Sequence, residues 1–142
     1  MGSRESRFAT NQLIFSSAHI LPRQLPACWA AGVSVAVLVG AGAAVRLLLA
    51  GESAGVLAWI AGAVLVPTLA LALGVWSGTG KVFEGLYTAL WYIGPMNRIP
   101  GFDFTGAANG ARTAHYAVVY LAIAAVLRIA AFVGRRRQLH AA

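Results

Sequence analysis

The chain has 142 residues, of which 59% are hydrophobic and 11% are charged, and its formal net charge is +7. Soluble domains usually carry about 25% charged residues, and a water-soluble fold of this length cannot bury so much apolar surface. These values exclude an ordinary soluble protein, and because no basic patch with interleaved aromatic residues is present, we expect no nucleic-acid partner.

The pattern predicts an all-α fold, a polytopic membrane helix bundle of about four spans that forms one transmembrane domain over residues 1–142. The first predicted element is an amphipathic cytoplasmic segment, residues 1–25, in which Arg4 and Arg7 accompany apolar side chains such as Phe15. From the residues alone, this segment is a helix that lies on the inner headgroups or one that contacts a protein partner.

Three long apolar stretches follow, at residues 27–50, 54–76 and 113–133, and each is 21 to 24 residues long. At about 1.5 Å rise per residue, each helix reaches across a hydrocarbon core of about 30 Å. A basic cytoplasmic tail, residues 134–142, follows the last stretch and contains Arg135, Arg136 and Arg137.

A fourth crossing is predicted between residues 80 and 97, with Val82–Met96 as its apolar part. Three spans would place the two basic ends on opposite faces of the membrane, against the positive-inside rule, whereas four place both termini and Lys81 in the cytoplasm. Fifteen residues extend only about 22 Å as a helix. The segment is therefore a short or tilted crossing, which we favour, or it re-enters and turns back at Gly94-Pro95.

Two charges inside the apolar stretches are candidates for a translocation path. Glu84 lies three residues after Lys81, where the two side chains can pair on one helical face. Arg128 lies in the last span, where a central arginine costs about 2.5–3.5 kcal/mol on insertion scales. Snorkelling of Arg128 towards the inner headgroups is the favoured interpretation, and a position on the translocation path is the alternative.

Other chemistry is not expected. The run from Ser77 to Lys81 resembles a phosphate loop, but Val75 and Val82 occupy positions where the motif requires glycine and a hydroxyl residue. The set Glu84, Asp103 and His115 lacks the spacing of a metal site. We predict no cofactor, no metal and no catalytic residue.

The N-terminal run Arg4-Glu5, Thr10 and Gln12–Ser17 resembles the cytoplasmic loop of bacterial ATP-binding-cassette exporter permeases of the type-2 class. Ala9 and Ala18 replace the glycine and proline common there. The resemblance continues through three further runs: residues 73–78, residues 83–97 and residues 100–106. Such permeases usually have about six spans, so the resemblance covers a C-terminal portion that lacks about two N-terminal spans.

The resemblance implies a permease subunit in the bacterial cytoplasmic (inner) membrane, moved by a separate cytoplasmic ATP-binding subunit and paired as a homodimer or with another permease half. Membrane lipid is the surrounding partner. The implied docking residues are Arg4, Glu5, Arg7, Phe8, Leu13, Ile14 and Phe15. The alternatives are a small membrane enzyme that uses Asp103, Arg112 and His115, and an accessory or assembly subunit without a transport role.

Overall fold

The computed structural model describes residues 20–108 and 110–141, and these residues form helices and turns without a strand among them. The elements are α1 (Ile20–Leu49), α2 (Ser53–Ser77), α3 (Lys81–Trp91), a π-helix (Tyr92–Met96), a 3-10 helix (Pro100–Phe102), α4 (Gly110–Ala114) and α5 (Ala117–Ala141). The predicted cytoplasmic helix falls almost entirely on residues 1–19, outside the described residues.

Three of the helical segments, Gln24–Leu49, Ser53–Ser77 and Arg112–Gln138, are long and apolar enough to cross a membrane. They correspond to the three long apolar stretches of the sequence. Helix α1 begins upstream of the predicted boundary at residue 27 and contains Pro26. In the residues that the structure describes, the fold is therefore all-helical, and three of its helical segments have the length and composition of membrane spans.

Helix α2 is central and contacts α1, α3, α4 and α5. Helix α1 runs antiparallel to it, because Leu47 lies beside Gly55 whereas Trp29 donates a hydrogen bond to Thr68 at 2.9 Å. The turn between α1 and α2 contains Gly51 at φ 69°, in the left-handed region that glycine adopts without strain.

Two hydrophobic clusters hold the bundle together, one at each end of α2. The first contains Ala61, Phe104, Ala117 and Tyr120. The second contains Leu71, Ala72, Val75 and Ala131, with Leu25 and Trp29 packed against it. Helix α5 therefore runs parallel to α2, and the start of α1 and the end of α5 lie at the same end of the bundle.

The segment between α2 and α4 returns the chain to the other end of α2. Gly78, at φ 66°, ends α2 and donates its N–H to the Gly74 carbonyl oxygen at 3.1 Å. Tyr87 and Leu90 of α3 pack against the first cluster, and Gly106 reaches the backbone of Gly55. Past Gly94-Pro95 the chain thus continues towards the start of α2 and does not turn back towards Lys81.

Candidate functional site

A cavity of about 1030 Å³ opens between α1, α2, α3 and the segment of residues 97–108 that follows the π-helix, which we call the loop. Small-molecule sites typically measure about 300–1,000 Å³ and have apolar walls with a few polar groups that orient the ligand. Both the size and the lining of this cavity are of that kind, so we take it as the candidate site.

One face of α1 forms the first wall. Its lining residues recur at intervals of one or three, as residues on one helical face do. They are Gly32, Val35, Ala36, Val39, Gly40, Ala43 and Arg46. The first and the last are 14 positions apart, so the wall is about 21 Å long.

Helix α2 forms the second wall, and a glycine brings it close to α1. A Cβ atom on Gly40 would lie 2.7 Å from Nε1 of Trp59, so the missing side chain leaves room for the indole. Pro67 also lines the cavity. Proline has no backbone N–H, so Pro67 cannot donate the helical hydrogen bond to the Ala63 carbonyl oxygen.

The third wall is an aromatic stripe on α3 at intervals of four residues. The Phe83 and Tyr87 rings stack with centroids 5.4 Å apart. Phe104, from the loop, lies 5.8 Å from Tyr87 and 6.1 Å from Trp91. These separations fall in the range of favourable aromatic pairs, so the rings form one continuous apolar surface.

The only formal charges in the lining, among the residues that the structure describes, are the guanidinium groups of Arg46 and Arg98. Arg46 occupies the last turn of α1, and Arg98 follows the π-helix. Thr105, Ala107 and Ala108 from the loop line the same cavity. The walls are thus apolar along α1 and α3, and each of these walls ends at an arginine.

The loop is fixed against α2 by close backbone packing and a buried carboxylate. A Cβ atom on Gly62 would overlap the Phe104 carbonyl oxygen. The Asp103 carboxylate is fully buried and accepts hydrogen bonds from Thr105 Oγ1 at 2.6 Å and Thr113 Oγ1 at 3.4 Å. The loop that carries Phe104 therefore has a defined position relative to α2 and α4.

The structure does not bring the two predicted path residues together at this cavity, since neither lines it. Glu84 is exposed on α3, and no ion pair joins it to Lys81 in the described part of the chain. The Arg128 guanidinium lies 4.2 Å from the centroid of the Trp29 ring, a cation–π geometry that holds it between α5 and α1. The predicted docking residues between Arg4 and Phe15 lie outside the described residues.

The other sequence patterns have structural explanations. Asp103 is buried among hydroxyl groups, whereas Arg112 and His115 are exposed. Ser77 Oγ donates to the Leu73 carbonyl oxygen at 2.6 Å in the last turn of α2 and to the Thr79 carbonyl oxygen at 2.9 Å in the turn that follows. Within residues 20–108 and 110–141, no three histidine, cysteine or acidic side chains are grouped as metal ligands.

Sequence reasoning overlooked the cavity, although one signal for it was present. The aromatic residues at 83, 87 and 91 recur every four positions, which marks one face of a helix. Nothing comparable marks Arg98, which reaches the cavity through a turn.

Comparisons with protein-family models, with curated proteins and with solved structures found no match to this chain.

Proposed function

We propose that the chain is the membrane-spanning permease subunit of an ATP-driven exporter in the bacterial cytoplasmic membrane. The observation that carries the proposal is the cavity of about 1030 Å³ within a bundle of apolar helices. A translocated molecule needs such a space, and alternating access opens it to one side of the membrane and then to the other.

The proposed topology has four crossings and both termini in the cytoplasm. The start of α1 and the end of α5 share one end of the bundle, as the contacts of Trp29 and Ala131 with the second cluster indicate. This end carries the run from Arg135 to Arg137, and positive residues favour the cytoplasmic side. The helical segment Lys81–Met96 and the loop after it then make the short return crossing.

Energy comes from a separate ATP-binding subunit that contacts residues 4–15. Phe8, Leu13, Ile14 and Phe15 supply the apolar anchors, and Arg4, Glu5 and Arg7 supply charges at the rim. This part of the proposal rests on the resemblance of the N-terminal run to exporter permeases. Closure of the ATPase would be transmitted through these anchors as tilting of the spans.

Pairing with a second copy or with another permease half is part of the proposal. Apolar side chains outside the cavity are also exposed, for example Leu49 and Val118 at 84% and 74%. In a membrane such faces contact lipid tails or another helix.

Crosslinking in cells tests the proposed function. A photo-reactive residue at Phe8, Leu13 or Phe15 should give an adduct with a protein of nucleotide-binding-subunit size. Phe15→Ala should abolish coupling to that subunit while membrane insertion persists, because a central aromatic anchor contributes about 2 kcal/mol or more. Arg7→Ala, as the matched rim variant, should have a weaker and salt-sensitive effect. Adducts with lipid only would overturn the proposal, and turnover by the purified chain alone would favour a membrane enzyme.

A further inference from the structure

The charges of the cavity are distributed unevenly. Its walls along α1, α2 and α3 are apolar, and Arg46 and Arg98 end two of these walls. No carboxylate lines the cavity among the residues that the structure describes. In that part of the chain, neither guanidinium group has an acidic partner. The cavity therefore favours an anion beside these arginines and disfavours a cation.

Arginine is suited to hold such an anion. Its planar guanidinium group donates two parallel hydrogen bonds to a carboxylate or a phosphate, and these charge-assisted bonds are roughly twice as strong as neutral ones. Two arginines supply such donors from separate elements, the last turn of α1 and the loop after the π-helix. A single head group that contacts both would connect these elements.

The backbone of Arg98 supports a role for its side chain. Arg98 has φ 55°, and it is a non-glycine residue in the left-handed region, where a side chain is disfavoured. Hydrogen bonds hold the turn on both sides of it, from Asn97 N–H to the Tyr92 carbonyl oxygen at 3.3 Å and from Ile99 N–H to the Gly94 carbonyl oxygen at 3.2 Å. Strained positions of this kind persist where the surrounding structure imposes them, and they concentrate at functional sites.

The remaining walls are suited to an apolar chain. The wall on α1 extends about 21 Å from Gly32 to Arg46. The aromatic surface of Phe83, Tyr87 and Trp91 faces the same space. The apolar tail of a ligand would match these surfaces in polarity and would pack against them.

We propose that the cavity binds an anionic amphiphile whose phosphate or carboxylate head group contacts Arg46 and Arg98 and whose apolar chain lies against α1 and α3. The inference names the ligand class of the site in the proposed function, and it rests on that proposal where it treats the ligand as cargo. Binding itself requires no ATPase.

Quenching of tryptophan fluorescence tests the binding, because Trp59 and Trp91 line the cavity. The full chain is purified in a non-ionic detergent and titrated with 12-bromododecyl phosphate, and 12-bromododecanol serves as the neutral probe. We expect saturable quenching by the phosphate. Arg46→Gln and Arg98→Asn should each weaken its apparent affinity by about tenfold or more and leave quenching by the alcohol unchanged. Asparagine tolerates the left-handed backbone, so Arg98→Asn keeps the turn.

Arg112→Gln is the matched control, because Arg112 is an exposed arginine outside the cavity lining. It should leave the phosphate titration unchanged. Equal quenching by both probes, or equal affinity in all three arginine variants, would identify nonspecific uptake like that of surrounding lipid and would overturn the inference. Displacement by inorganic phosphate at similar concentrations would also overturn it, since recognition would then depend on the anion alone.

A second copy of the chain is the competing occupant of the cavity. A Val39→Cys variant that crosslinks to itself in membranes, in a Cys28→Ala background, would show that another copy covers this wall and would overturn the inference. Failure of this inference is distinguishable from failure of the proposed function. If the phosphate probe binds saturably but crosslinking gives no ATPase adduct, the ligand site stands and the exporter subunit is rejected. If crosslinking gives the adduct but the probe does not bind saturably, the exporter subunit stands and the ligand site is rejected.

Discussion

Substitution of Gly62 by alanine should displace the loop that carries Phe104 from α2. The added Cβ atom would overlap the Phe104 carbonyl oxygen and lie 3.5 Å from the Phe104 Cβ atom. The obstacle is backbone, and the neighbouring Asp103 is held by Thr105 and Thr113. The loop therefore cannot yield by a side-chain rotation, and the strain must be relieved by moving the loop away from α2.

The magnitude follows from two opposing effects. Overpacking of a well-packed contact costs about 1–3 kcal/mol. Replacement of a glycine by alanine inside a helix offsets this by about 0.5–1 kcal/mol. Because the obstacle is backbone, the cost lies in the upper part of this range, about 2–3 kcal/mol, and the net expectation for Gly62→Ala is a loss of about 1–2.5 kcal/mol in the free energy of unfolding.

Gly42→Ala is the matched control on α1, because a Cβ atom there would meet nothing within 4 Å. It should be neutral or stabilising by up to about 1 kcal/mol. Denaturant unfolding of both variants in the same mild detergent measures the difference, with tryptophan emission as the signal. Equal free energies of unfolding for the two variants would refute the close packing of the loop on α2.

Three other predictions concern topology, nucleotide and a buried hydrogen bond. Cysteine labelling at Gly2, Glu52, Ser77, Gly106 and Ala142 should alternate in, out, in, out, in, and finding Gly106 and Ala142 on the same side would reject the fourth crossing. The purified chain should neither bind nor hydrolyse ATP, because Val75 and Val82 break the phosphate-loop pattern, and binding that Lys81→Ala abolishes would contradict this. Thr68→Val removes the acceptor of the Trp29 indole N–H and should cost about 1–3 kcal/mol of unfolding free energy, whereas Thr88→Val, at an exposed hydroxyl, should cost within about 0.5 kcal/mol. Similar losses in both threonine variants would show that the bond to Trp29 does not stabilise the bundle.

The long apolar helices were predictable because length and the absence of charge are properties of the sequence itself. The sequence did not predict which side of each helix packs against its neighbours and which side lines the cavity. Helix α2 is apolar on all sides, so nothing in residues such as Val66 or Leu71 indicates which one lines a cavity and which one belongs to a cluster. The contact of Arg128 with Trp29 joins residues from opposite ends of the chain and depends on helix rotation, which hydropathy does not encode.

The return segment was predictable only in part. Charge placement predicted a fourth crossing between residues 80 and 97, which stays a prediction, and the described residues show that this segment leads back towards the start of α2. The hydrophobic periodicity of the sequence does not predict the packing of Gly62 against the Phe104 carbonyl group. This contact joins residues far apart in the chain and needs a position without a side chain. Arg98 was overlooked for a related reason, since its place at the cavity follows from one unusual backbone angle.

Pro67 has a mechanical consequence for the cavity. The two sides of this helix belong to different packed units: Ala61 packs with the loop and the start of α5, whereas Leu71 packs with the start of α1 and with Ala131 of α5. A helix bends most easily where a backbone hydrogen bond is missing, and in α2 this place is Pro67, between the two packed units. Because α5 packs in both units, a bend of α2 at Pro67 would have to be accommodated along α5, and it would change the space beside Pro67 that belongs to the cavity.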